Sequence, residues 1–359
     1  MKGIPPHRQV AFRADASPAM GAGHLARCAT LASRLRERGW STRLITAARS
    51  IESFPAASTC FSHIVELPYA AVSAADISSG TWLPVTQAED AEHTLRAIGE
   101  GASWVVADHY GLDANWELQV RPSAKNILVI DDLTNRSHSC DVLLNQNLSL
   151  GDGSGYAELV PPTATVLRGP RFALLRDEFR RPRTQRIRAK VGRILVSFGG
   201  IDGANGTSTV LAALDVIDVG IAVDVVIGEQ HPARDAIVET CARQGYACHV
   251  QTTSIADLMY AADLAIGAGG ASSWERCIVG LPTITLVMAD NQRTIAAALA
   301  SQGASVNLGD HHSVRSSDIA RALLQLCASK SALSKMSEAA YGVMADHVDV
   351  ADLLFDSDA

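Results

Sequence analysis

The sequence predicts an α/β chain of two doubly wound, Rossmann-like domains facing across a cleft, and three observations predict it. Apolar runs of strand length alternate with segments of helical period along nearly all of the 359 residues, the mark of parallel sheets with crossover helices. That length exceeds one ordinary core and suits two. A polar, basic stretch without a core-forming pattern, Arg180 to Lys190 with its Pro182, separates the halves. We therefore assign residues 1–170 to a first domain, 171–190 to the connection and 191–359 to a second domain.

The first domain opens with a strand at Val10 to Ala14. A helix follows in which Leu25, Cys28, Ala29, Ala32 and Leu35 share one face, and Gly39 stands where a C-terminal cap belongs. Strands at Arg43 to Ala47, Trp104 to Ala107, Ile127 to Ile130 and Asp141 to Leu144 complete the set. The second domain opens with Arg193 to Phe198 and continues through Val223 to Ile227, His249 to Gln251, Leu264 to Ile266 and Thr283 to Val287. Ile295 to Gln302 and Ser337 to Phe355 are expected helices, the latter packing back across the domain boundary.

Composition narrows the function. Hydrophobic residues at 47% and charged residues at 19% describe a globular protein rather than a disordered or coiled-coil chain. A formal charge of -7 leaves no surplus of cations for a phosphate backbone, so no nucleic-acid partner is expected. Seven cysteines without a Cys-x-x-Cys pair read as reduced thiols, with neither a disulfide framework nor a metal site. Met1 to Gln9 holds no signal-peptide core, and no apolar run approaches the roughly 20 residues that span a bilayer. The expectation is a cytoplasmic monomer with no cofactor and no membrane partner.

Doubly wound sheets bind ligands at the carboxyl ends of their strands, so chemistry belongs just past each apolar run. The first such loop, Asp15 to His24, contains Gly21 and Gly23, which permit a tight turn and close backbone approach, and it leads into a helix whose free N–H groups suit an anion. His24 is then a proton acceptor at neutral pH or a cap on the helix start, and Arg27 lies one turn on. Asp108, His109 and Tyr110 follow the strand ending at Ala107 and either orient a ligand or serve as buried structural groups. Asp131 and Asp132 follow the next strand and are read as structural or capping residues.

In the second domain Gly200 lies in a Gly-rich turn that either touches a phosphate or permits close packing, with Asn205 or Thr207 capping the next helix. A richer signal runs from Asp263 to Glu275. There Gly269 and Gly270 expose bare N–H groups to a diphosphate, Ser272 and Ser273 add hydroxyl donors, and Glu275 accepts from ribose hydroxyls or interacts with the helix dipole. Asn291 and Gln292 stand past the following strand, placed to hydrogen-bond sugar or diphosphate.

Taken in order, Arg13-Ala-Asp-Ala-Ser, Gly21-x-Gly-His-x-x-Arg27, Asp108-His-Tyr-Gly111, Asp141-x-Leu-Leu-Asn145, Leu174-Leu-Arg-Asp-Glu-Phe179, Ser197-Phe-Gly-Gly200, Ser272-Ser-x-x-Glu275 and Asn291-Gln resemble the UDP-2,4-diacetamido-2,4,6-trideoxy-β-L-altropyranose hydrolases of pseudaminic acid biosynthesis. The resemblance spans about residues 10 to 300. It implies a two-domain GT-B architecture similar to the lipid II glycosyltransferase, UDP held by the second domain, and metal-free hydrolysis at the anomeric carbon with inversion. By that similarity His24 is the general base, Tyr110 and Asn291 place sugar and water, and Asp15 or Asp108 holds local geometry. Gly23, Arg27, Asp108, Gly200, Gly269, Gly270, Ser272, Ser273, Glu275 and Gln292 bind the UDP-sugar substrate and UDP product. The alternatives are a GT-B glycosyltransferase using a similar donor and a non-catalytic nucleotide-sugar binding module, which would need no His24.

Overall fold

The computed structural model describes residues 8–148, 154–181, 183–217 and 220–355, so most of the Met1 to Gln9 segment and Pro182 lie outside the described residues. Seven strands form the first sheet: β1 (Gln9–Ala14), β2 (Ser41–Ala48), β3 (His63–Ala70), β4 (Ala102–Asp108), β5 (Ala124–Ile130), β6 (Val142–Asn145) and β7 (Thr165–Arg168), in the spatial order 3-2-1-4-5-6-7. Six form the second: β8 (Arg193–Ser197), β9 (Ala222–Ile227), β10 (Ala247–Val250), β11 (Leu264–Ala268), β12 (Thr283–Val287) and β13 (Ser305–Asp310), in the order 10-9-8-11-12-13. Every pairing in both sheets is parallel. Strand order therefore reverses between β1 and β4 and again between β8 and β11, the two places where a doubly wound sheet opens a ligand crevice at its carboxyl ends.

Backbone packing divides the chain into two compact units. The first holds the described residues of Met1–Asn147, Gly151–Leu174 and Val348–Ala359; the second holds those of Leu148–Leu150 and Leu175–His347. In the first unit the alternation of β1 sorts its residues between two cores. Val10, Phe12 and Ala14 meet Leu25, Cys28, Leu31 and Leu35 of the helix Gly23–Glu37, while Ala11 faces Val105, Trp116 and Val129 on the other side. The helix stops in a Schellman motif: Gly39, at φ +78°, donates to Arg36 O over 3.0 Å and Trp40 N–H to Leu35 O over 3.0 Å.

Three strands were not expected from the sequence, β3, β7 and β13, and each lies at the edge of its sheet. The expected helix from Ser337 to Phe355 is two. Lys330–Val343, capped by Ser329, ends near Met344, and Val350–Phe355 begins anew after Asp349 Oδ1 accepts the Ala351 N–H over 2.9 Å. The second of these belongs to the first unit, where Phe355 meets the rings of Trp40 and Trp104 with centroids 5.6 and 4.9 Å away. Among the described residues no helix is long and apolar enough to cross a membrane.

Candidate functional site

In the first unit β1 ends at Ala14, whose register partner on β4 is Asp108. The intervening loop turns at Gly21, at φ +78°, whose N–H donates to Ser17 O over 2.8 Å. The helix then starts after Ala22 with no side-chain cap and no acidic residue in its first turn. His24 and Arg27, three residues apart, share a helical face, and β4 brings Asp108 against both. His24 Nδ1 lies 2.6 Å from Asp108 Oδ1. Arg27 donates from Nε to Asp108 Oδ2 (2.9 Å), from Nη2 to Asp108 Oδ1 (2.8 Å) and from Nη1 to Asp132 Oδ2 (3.0 Å). Tyr110 donates its hydroxyl to Asp132 Oδ1 over 2.9 Å and sets its ring at 87° to the imidazole, centroids 4.4 Å apart.

These contacts assign the histidine tautomer. Arg27 Nη2 also lies 3.1 Å from Nδ1, but a lone pair there would oppose the closer carboxylate oxygen at 2.6 Å, so Nδ1 carries a proton and donates it to Asp108, and the neutral form of the ring has its lone pair on Nε2. The cluster is largely buried: His24 is 4% and Arg27 7% exposed, and Asp108 is fully buried. Burial opposes the Arg27 charge, but Asp108 and Asp132 raise its pKa well above the usual arginine value. Burial likewise works against an ionised Asp132, yet Arg27, His24 and the Tyr110 hydroxyl hold its carboxyl below the ordinary range.

Behind this cluster lies a second buried network. Arg13 forks onto Asp15 (2.5 and 2.9 Å) and Asp90 (2.7 to 3.3 Å). Asp15 also accepts the Ala47 N–H over 2.6 Å, which ties the start of the His24 loop to β2. His109, next to Asp108, accepts the Gly111 N–H at Nδ1 (3.0 Å) and turns Nε2 toward Asp15 Oδ2 at 3.2 Å. Burial depresses its pKa more than Asp15 raises it, so it sits neutral.

In the second unit the loops after β8 and β11 flank the reversal, with Ser197 and Gly267 in register. A Cβ on Gly267 would strike Ser197 O and one on Gly228 would strike Gly200 O, so both glycines are required by close backbone approach. Neither Asn205 nor Thr207 caps the helix Gly206–Asp215. Asp202 does, accepting from Gly206 N (2.9 Å), Thr207 N (2.9 Å) and Thr207 Oγ1 (2.7 Å), because the turn already places its carboxylate over those N–H groups. His231 Nε2 meets the same carboxylate at 3.1 Å, which pins the loop after β9 to the loop after β8.

Past β11 come Gly269, Gly270 and the short helix Ser272–Ile278. Here Arg276, 3% exposed, donates to Ser272 Oγ (3.1 Å), Ser273 Oγ (3.0 Å) and Ala268 O (2.6 Å). Among the described residues no carboxylate lies within ion-pair distance of it, and its Nε is buried without a partner. Burial pushes the guanidinium down to about 10. Because the arginine occupies the serine lone pairs, both hydroxyl hydrogens stay available as donors.

The remaining expected residues fall as follows. Glu275 is held by Arg176 through two bonds of 2.6 and 2.7 Å, and Arg27 is engaged by two carboxylates rather than open to a ligand. Gly23 is exposed at the helix start, and Gly200 has open space where a Cβ would stand. Gln292 accepts the Met288 N–H over 3.1 Å and brings its amide beside Gly270, where a Cβ would lie 3.6 Å from Nε2. Asn291 is exposed in the turn Asp290–Gln292. Asp132, read as structural, joins the His24 cluster, and Arg276 went unremarked although its spacing from Ser272 and Ser273 is that of neighbours on a helix. Asp310, His311 and His312 offer one ligand atom each within 4.8 Å of one another, but Arg293 already takes Asp310 Oδ2 at 2.5 Å.

Comparison with known proteins bears on both units. Residues 199–353 match the glycosyltransferase family 28 C-terminal domain. The spore coat polysaccharide biosynthesis protein SpsG of Bacillus subtilis is 33% identical over 153 residues, 40% of this chain and 44% of that protein. The UDP-2,4-diacetamido-2,4,6-trideoxy-beta-L-altropyranose hydrolase of Campylobacter jejuni is 28% identical over 198 residues, 55% of this chain and 62% of that one. The chain thus matches less than two thirds of the length of either relative. The solved structure of Acinetobacter baumannii MurG superposes with a TM-score of 0.61 at 15% identity, covering 93% of this chain and 95% of that one. The fold is α/β, its solved neighbours are GT-B glycosyltransferases, and the chain is related to proteins of nucleotide-sugar chemistry.

Proposed function

We propose that the protein is a hydrolase that cleaves a UDP-linked 2,4-diacetamido-2,4,6-trideoxy hexose at the anomeric C–O bond, releasing UDP and the free sugar for nonulosonic acid synthesis. The observation that carries the reading is the His24–Asp108 pair at the β1/β4 reversal, with Nδ1–H directed at a buried carboxylate and Nε2 left as a base. The partial match to the Campylobacter hydrolase supports the choice of substrate.

In this mechanism water attacks the anomeric carbon from the side opposite UDP. The new C–O bond forms as the bond to the diphosphate breaks, the water proton passes to His24 Nε2, and configuration inverts. Asp108 stabilises the imidazolium that results and fixes the ring in the productive tautomer. Tyr110, packed on the imidazole and anchored by Asp132, positions the sugar, and the resemblance gives Asn291, exposed in its turn, the same role. UDP is held by the backbone of Gly200, Gly269 and Gly270, the hydroxyl hydrogens of Ser272 and Ser273, and Gln292, with Arg276 behind them supplying positive charge. Glu275 meets the ribose while Arg176 fixes its carboxylate.

Turnover in oxygen-labelled water tests the reaction: the label is expected in the released sugar, and label in UDP instead excludes attack at carbon. His24→Ala is expected to lower turnover by roughly 100-fold or more with UDP affinity unchanged. The match to a glycosyltransferase family model favours one second reading, transfer of the sugar to an acceptor. Product formation that begins only when an acceptor is supplied would select it.

A further inference from the structure

A pocket of about 320 Å³ opens in the first unit beside Tyr110. Trp82 forms one wall, its ring edge-on to Tyr110 with centroids 4.9 Å apart, so the indole, the phenol and the His24 imidazole make a continuous run of rings from the pocket to the base. Leu83 and Val85 extend the apolar side. The floor is tight: a Cβ on Gly111 would lie 2.9 Å from Leu83 Cβ. The volume stands at the small end of ligand pockets, which run from roughly 300 to 1,000 Å³, and suits a single ring rather than a chain of them.

The lining selects against anions. Arg136 is the cation of the pocket, and its guanidinium is already engaged: Nε donates to Leu112 O (2.8 Å), Nη2 to His109 O (3.3 Å), and Nη1 lies 2.7 Å from Asp131 Oδ1. A phosphate or carboxylate therefore meets only a cation already paired with Asp131, beside the Asp113 carboxylate. What the pocket does offer is a complement for an amide. Gln87 Oε1 accepts from Asp113 N (3.3 Å) and Trp116 N (3.2 Å), which fixes the side chain and leaves Nε2 as a donor for an acyl oxygen. Asp113 caps its helix by accepting from Asn115 N–H at Oδ1 (2.8 Å), leaving Oδ2 for a hydroxyl or amide N–H. The indole and the aliphatic wall match a methyl group and the C–H face of a pyranose.

We propose that this pocket binds a neutral, N-acetylated hexose ring, with Trp82 as its stacking wall and Gln87 as the reader of the acetamido carbonyl. The inference rests on the nucleotide-sugar reading for the source of the ring; the same chemistry is found in the sugar of the donor and in a separate acceptor sugar.

Saturation-transfer NMR with free N-acetylglucosamine on the full chain tests it without requiring turnover. Transfer to the acetamido methyl and ring protons is expected, with glucose binding more weakly. Trp82→Ala is expected to weaken the sugar about tenfold and Gln87→Met to erase the preference over glucose, while Trp82→Phe retains binding. Trp82 is half-buried, and Trp82→Phe, which keeps an aromatic ring beside Tyr110, controls for folding. Displacement of N-acetylglucosamine by UDP-N-acetylglucosamine but not by UDP identifies the ring as the donor's own; simultaneous binding identifies an acceptor. Binding that Trp82→Ala leaves unchanged, or equal binding of glucose, overturns the proposal. Where UDP-N-acetylglucosamine displaces the free sugar, an active hydrolase whose KM is indifferent to Trp82→Ala refutes this pocket alone, and sugar binding by a protein that hydrolyses no nucleotide sugar refutes the hydrolase reading alone.

Discussion

At the β1/β4 reversal a buried arginine, Arg27, stands between two carboxylates; at the β8/β11 reversal another, Arg276, meets two hydroxyls and a carbonyl but no carboxylate. The topology is the same in both units, since each places two Gly-bearing or polar loops at the carboxyl ends of adjacent parallel strands. The electrostatics differ. The first site pairs its arginine with two carboxylates around the His24 imidazole, while the second keeps a desolvated cation behind two serine hydroxyls. A doubly wound sheet thus supplies a location, and the side chains decide its electrostatic character.

The sharpest way to break this contrast is Asp108→Asn. An amide at that position can present N–H to Nδ1 and drive the imidazole to the other tautomer, removing the base from Nε2. Turnover is expected to fall about 10³- to 10⁴-fold, with UDP affinity by calorimetry unchanged. A fall of less than tenfold would separate Asp108 from the chemistry.

The two arginines give the next test, in stability. Arg27→Met strands Asp108 and Asp132 in a dry interior and is expected to cost about 3–5 kcal/mol in urea unfolding. Arg276→Met strands no carboxylate, so its cost should be clearly smaller. The functional order reverses: Arg276→Met is expected to weaken UDP by about 2 kcal/mol, close to 30-fold, through loss of the buried charge and of the serine orientation. Equal unfolding penalties for the two variants would dissolve the distinction.

How far the sequence carried these conclusions depends on burial. Strands covered on both faces announce themselves as apolar runs, which is why Val10 to Ala14, Trp104 to Ala107 and Thr283 to Val287 are legible. Edge strands are half solvated, and β3, with Pro68 inside it and most of its residues exposed or half-exposed, carries no such run. The site follows the same logic. His24 and Asp108 are visible as polar residues past strand ends, but their hydrogen bond depends on β1 and β4 being neighbours, which no local pattern encodes. Asp132 required the further step of knowing that β5 lies beside β4. Arg276 was within reach of sequence reasoning, because its separation from Ser272 and Ser273 is a helical neighbour spacing; an arginine beside glutamate simply reads as a surface pair.

The smallest expected effect concerns acid, and it separates the units by a different route. His109 lies among Arg13, Asp15 and Asp90, and burial holds its pKa below the ordinary value near 6.5. The unfolded chain therefore binds a proton at this position before the folded one does. Stability attributable to His109 is complete above about pH 6.5 and is lost as pH falls below it, until the folded pKa is reached, at no more than about 1.4 kcal/mol per pH unit. His109→Gln, which keeps an acceptor for Gly111 N–H and a donor toward Asp15, should shrink the stability difference between pH 7.5 and 5.5 by up to that amount. Hydrogen exchange locates the change, with β1 amides losing protection on acidification in the wild type and less so in the variant. If β1 amides lose as much protection in His109→Gln as in the wild type, His109 is not the origin of the acid sensitivity of this network.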